Sequence, residues 1–136
     1  MSAEEFIQRG YFEALSKNGL PVYDVLPTKE KLPAVMFSRV TTFEQTCCYA
    51  IVEIVLNILS PSTSKADLYS LVYNSQAILE SVGFENEYYK LGFNKLKSSE
   101  VQTYRPDSGL NSDGEIWQMA IIKYNNVVSK CGKKIT

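Results

Sequence analysis

The stretch 48-CYAIVEIVLNIL-59 decides the fold. Cys48, Ala50, Val52, Ile54, Leu56 and Ile58 alternate as one uninterrupted apolar face, while Tyr49, Ile51, Glu53, Val55 and Asn57 make a mixed one. Period-two alternation rich in β-branched residues predicts a strand with one core side and one semi-polar side. The greasy run Cys47 to Leu59 is broken by Glu53 and Asn57. It also falls short of the ~20 residues a membrane helix needs. A second strand is predicted over Ala34 to Thr42, and the link TFEQTC is short enough for an antiparallel hairpin. On this face Cys48 reads as a small buried hydrophobe.

Downstream, 60-SPSTSKADLYSLVYNSQAILESVGF-84 carries the helical period. Leu68, Leu71, Val72, Ser75, Ile78, Leu79 and Val82 form one stripe, with Ser64 as the predicted N-cap, Asp67 three residues on, and Gly83 as the stop. One stripe means one buried face, so this helix is expected to lie on a sheet. Upstream, Ser2 to Asn18 reads as a second helix through Phe6, Ile7, Tyr11, Ala14 and Leu15. Glu4 and Glu5 suit its N-terminal dipole, Gly10 weakens its middle, and Asn18-Gly19 ends it.

After the second helix the pattern loosens. One or two strands are predicted around Tyr88 to Phe93 and Glu100 to Tyr104, followed by the turn-rich loop RPDSGLNSDGE. Glu115 to Tyr124 alternates again with both faces largely apolar, which predicts a central strand. Residues 125–136 read as a loosely attached tail. The resulting expectation is a single α+β domain spanning 1–136. Its sheet would be a twisted antiparallel or mixed one, with helices packed mainly on one face. A chain of 136 residues can bury roughly two-thirds of its unfolded surface, so it needs no staple.

The chemistry is limited by what is missing. The chain has no histidine, which removes the usual neutral-pH base and the commonest metal ligand. No Walker loop or dinucleotide fingerprint is present. A net charge of -1 argues against binding nucleic acid by bulk electrostatics, and Lys130, Lys133 and Lys134 are too few to mark such a site. The odd set Cys47, Cys48 and Cys131 does not resemble a secreted disulfide framework, and no leader-like segment opens the chain. The expectation is a soluble, intracellular protein with no catalytic, cofactor or metal site.

Individual candidates reduce to scaffolding. Tyr23 and Asp24 lie in a strand-like segment between Pro21 and Pro27, where neighbours point to opposite faces. The same argument makes Cys47 and Cys48 poor joint ligands. Aligning Gly114 as the sixth residue of a calcium loop puts Gly109 and Ala120 where acids belong, so that match fails. Glu85 and Glu87 read as a solvated pair. What stands out is the aromatic content, nine Tyr, six Phe and one Trp. Tyr69 and Tyr73 lie off the helical stripe and are the candidate interface residues.

The stretch YFEALSKNGLPVYDVLPTKEKLPAVMFSRVTT resembles the opening of small tailed-bacteriophage tail-completion, or tail-terminator, proteins through Pro21, Val22, Tyr23, Asp24, Pro27 and Pro33. SDGEIWQMAIIKYN is similar to that family's closing hairpin. The resemblance implies a non-enzymatic ring, commonly hexameric, that caps the tail tube and joins it to the head. Its partners would be tube protein and head–tail connector proteins. Its location would be the host cytoplasm during assembly and then the virion neck. It also implies that the Pro-Val-Tyr-Asp stretch is structural. A head-completion protein of the same neck and a small ligand-binding α+β domain are the alternatives. A deep pocket with convergent polar groups would favour the latter.

Overall fold

A computed structural model describes residues 1–28, 31–61, 65–105 and 116–130. The elements run α1 (Ala3–Lys17), β1 (Val22–Tyr23), β2 (Ala34–Gln45), β3 (Tyr49–Pro61), α2 (Lys65–Glu80), β4 (Tyr89–Tyr104) and β5 (Trp117–Lys130). The sheet order is β1-β2-β3-β5-β4; β1 is parallel to β2 and the remaining pairs are antiparallel. This is the α+β arrangement expected, with a mixed sheet.

Both predicted helices form, α1 over Ala3–Lys17 and α2 over Lys65–Glu80. Ser2 accepts the amide of Glu5 at the start of α1, Asn18 ends it, and Gly19 follows with φ 83°. Phe6, Ile7, Tyr11 and Leu15 are buried in one core with Leu68, Leu71 and Leu79 of α2 and Ala50, Val52, Ile54, Leu56 and Ile58 of β3. Both helices therefore cover the even-numbered face of β3. The cap assigned to Ser64, residues 106–115 of the turn-rich loop and the tail from 131 lie outside the described residues.

Gly10 does more than weaken its helix. A Cβ built there would come within 2.2 Å of the Phe84 ring, which itself stacks against Phe6 at 5.1 Å between centroids. Gly10→Ala improves helix propensity by about 1 kcal/mol. Even so, it is expected to destabilise the protein by a net ~1–2 kcal/mol, because the ring must leave its packed position. Chemical denaturation of Gly10→Ala beside Gly10→Ala/Phe84→Leu measures this: the smaller partner should recover much of the loss.

The one or two strands expected after α2 are a single 16-residue strand, and two other expectations are corrected. Its register slips between Leu91 and Phe93 and again between Leu96 and Ser98. Each bulge adds a residue and swaps the faces, which erases the alternation a sequence reading depends on. Residues 125–130, expected in a loose tail, complete β5; there Asn126 and Val128 are fully buried between β3 and β4. Cys48 is exposed and lies outside the strand, because Thr46 Oγ1 accepts the amides of Cys48 and Tyr49 and turns the chain before β3 begins.

Asn126 is tolerated in the core because its polar atoms are satisfied. Its Oδ1 accepts the Tyr11 hydroxyl and its Nδ2 donates to the Val52 carbonyl at 3.0 Å. Asn94, opposite Asn126 on β4, donates to the Tyr11 oxygen at 3.1 Å and to the Leu79 carbonyl at 2.9 Å near the end of α2. Two asparagines thus tie both helices to three strands. Burial pushes the Tyr11 hydroxyl well above the tyrosine range and that of Tyr124 to about 12. The unfolded chain gives up these protons first, so stability should fall as pH rises above 10 toward 12. Denaturation midpoints measured across that range should drop, and Tyr11→Phe should flatten the slope.

The helix-free face is not bare. At one end Leu59, Trp117 and Met119 are buried beneath Leu26, Leu32 and Met36, so the proline-fenced segment after β1 is a cover for that face. Farther along, Glu53 is only 3% exposed although none of the described helices lies on this side. Lys97 Nζ is 2.8 Å from its carboxylate and Arg39 lies 3.6 Å away. Lys97 is the extra residue of the second β4 bulge, and Phe43 is the extra residue of a β2 bulge. The two meet with the cation 5.5 Å from the ring centroid. Bulges re-aim side chains, and here two of them close over one carboxylate.

Candidate interaction surface

Two edges of the sheet remain open among the described residues. On one side β1 pairs only with Val35 and Met36, so β2 beyond Phe37 has no strand beside it. On the other, the turn at Phe84 and Glu85 bonds to the start of β4 and leaves Gly92 to Tyr104 as a free edge. Backbone donors and acceptors along such an edge are a template for another chain.

The β4 edge carries apolar surface. Phe93 is 59% exposed, and Leu96 and Val101 are also open to solvent. Tyr69 and Tyr73, the residues singled out from the sequence, are 54% and 71% exposed on α2, off its buried stripe. Glu80 shares their flank of the helix, since positions 69, 73 and 80 fall on one side at helical spacing. Burial, and after it the Glu80 carboxylate, raises the Tyr124 hydroxyl, and Tyr124 pairs with Leu96. Asn94 of β4 donates to the Leu79 carbonyl near the end of α2, and Leu96 and Val101 pair with Tyr124 and Ala120 on the helix-covered face, so α2, Leu96 and Val101 lie on one side of the sheet.

The opposite edge is different in kind. Phe12 of α1 lies with its ring 6.2 Å from that of Phe37, and Val25 is 72% exposed. Between α1 and β2 runs an open groove of about 680 Å³ lined by Glu4, Arg9, Phe12, Asp24 and Arg39 among others. Its polar groups satisfy one another: Arg9 pairs with Glu5 at 2.9 Å, Thr42 donates to Glu4, and Gln8 donates to Asp24.

The remaining sequence candidates separate. Tyr23 lies under Lys31, whose Nζ is 5.2 Å from the ring, while Asp24 faces Gln8, so the pair shares no site. The mixed face of β3 is closed over Glu53 and Val55. Cys47 and Cys48 do not point apart; their Sγ atoms are 3.4 Å from each other. Phe43, Phe93 and Val101 were missed, because bulges remove the period that would reveal which of their faces is exposed. No described helix is long and apolar enough to cross a membrane. Among the described residues no group of three or more acidic or cysteine side chains is placed to hold a metal.

No family model and no curated protein matches the chain. Among solved structures it is similar to a chain of the virion of a native gene transfer agent particle, with a TM-score of 0.68 and 12% identity. The match covers 94% of this chain and 99% of that one. The likeness is one of fold, and it spans nearly the whole of both chains.

Proposed function

We propose that this chain is a structural component of a phage-like virion, acting at the neck as a ring that caps the tail tube and joins tail to head. The observation that carries the reading is the near full-length fold likeness to a virion chain. The tail-completion resemblance of residues 11–42 and 112–125, which rests on sequence alone, agrees with it. Ring closure requires a head-to-tail contact between two different patches on each subunit. The β4 edge with Tyr69 and Tyr73, and the β2 edge with Phe12 and Val25, are two such patches on opposite sides of one sheet. β2 and β4 run in opposite directions, so one subunit's edge could add to the next as an antiparallel neighbour.

The test is assembly. The protein is expected to be a monomer or weak oligomer when dilute and to form rings of fixed stoichiometry at high concentration or on tube protein. Sedimentation and negative-stain imaging read this out. Tyr69→Glu or Tyr73→Glu should leave the melting temperature within a few degrees of the parent but reduce ring formation at least about tenfold, since burying an unpaired charge is costly. A ring that binds connector protein and ignores tube protein would favour the head-completion role. A chain that remains monomeric with both partners would overturn the proposal.

A further inference from the structure

We propose that Cys47 and Cys48 are a redox-responsive dithiol that closes to an intramolecular disulfide on meeting a small-molecule disulfide. Adjacent residues on an extended strand point to opposite sides. Here they sit in the β2–β3 turn instead, with their Sγ atoms 3.4 Å apart and both side chains exposed. The backbone around them is held. The Cys48 amide donates to Thr46 Oγ1 at 3.1 Å, and the Cys48 carbonyl accepts the Lys130 amide at 2.9 Å. The turn therefore presents two thiols to solvent in contact with each other.

The exchange balances in two steps. One cysteine thiolate attacks a sulfur of the small-molecule disulfide and releases half of it as a thiol, leaving a mixed disulfide on the protein. The neighbouring cysteine, deprotonated, then attacks the protein sulfur of that mixed disulfide and expels the other half as a second thiol. The two cysteines lose two protons and two electrons, and the small molecule gains them. The Cys48 thiol is pushed up chiefly by its hydrogen bond with Cys47, and the exchange balances whichever of the two attacks first. Because the second step is intramolecular, it outruns reaction with another molecule of oxidant.

Closure changes the turn. Neighbouring Cα atoms are about 3.8 Å apart, closer than the roughly 4.4 Å minimum of ordinary disulfides, so the ring is strained and ordinary thiols reopen it. Closure must draw the Sγ atoms from 3.4 Å to bonding distance, about 2.05 Å.

The experiment uses the full chain carrying Cys131→Ser, so that any internal disulfide reports this pair. Treated with oxidised glutathione, it should lose two hydrogens by intact mass, mapped to the peptide holding both cysteines, and regain them with dithiothreitol. Cys47→Ser or Cys48→Ser in the same background should instead retain glutathione, at least about tenfold more than the dithiol protein. A dithiol protein that holds glutathione as the single-thiol variants do, or that stays fully reduced, overturns the proposal. Neither outcome depends on whether the chain forms rings.

Discussion

Ile54→Ala is expected to destabilise the protein by about 2–5 kcal/mol, the range for truncating a buried aliphatic side chain. Ile54 is completely buried on the helix side of β3, flanked across the ladders by Val40 and Tyr124. Val52 and Leu56, two residues away on the same face, are also inaccessible. Removing three carbons loses their transfer free energy and leaves a cavity that a central strand, fixed by neighbours on both sides, can collapse only partly. A domain of this size is stable by some 5–15 kcal/mol, so the variant loses a large share of its margin. Urea unfolding should show a lower midpoint with an unchanged slope. Leu96→Ala, on the free edge, should cost well under half as much. Equal effects at the two positions would mean that the core does not lie where both helices meet β3.

Asn126→Ala is expected to cost about 3 kcal/mol although the side chain removed is polar. The change deletes the acceptor of the Tyr11 hydroxyl and the donor to the Val52 carbonyl. Each buried group left without a partner costs ~1–3 kcal/mol, more than a typical hydrogen bond adds. Asn94 still donates to the Tyr11 oxygen, which limits the loss. Tyr11→Phe should cost less, about 1–2 kcal/mol, because Asn126 keeps its bond to Val52. The double variant Tyr11→Phe/Asn126→Ala should be less destabilised than the sum of the two, since the second change finds its partner already gone. Strict additivity in that cycle would show that the two side chains do not interact.

Much of the secondary structure was legible locally. Ser2 and Asn18-Gly19 bracket α1, the Leu68 to Val82 stripe marks α2, and the apolar face from Ala50 to Ile58 marks β3. The signals work because a cap or a face is set by residues within one turn or two strand positions of each other. They also fix which side of each element must be covered, and hence helices on a sheet. The exposure of Tyr69 and Tyr73 was legible for the same reason: being off the stripe is a local property of α2.

Only the tertiary structure decided the rest. Asn125 and Asn126 look like the start of a polar tail, yet Asn126 is a core residue because Tyr11, 115 positions away, supplies its partner. Glu53 reads as a solvent-facing carboxylate, yet Lys97 and Arg39 reach it across strands distant in sequence. The continuity of β4 depends on pairing with β5 through two bulges, and the contact of Cys47 with Cys48 on a turn fixed by Thr46. A sequence window contains the cost of burying such groups but not the partners that offset it, because those partners are brought into range only when the sheet assembles.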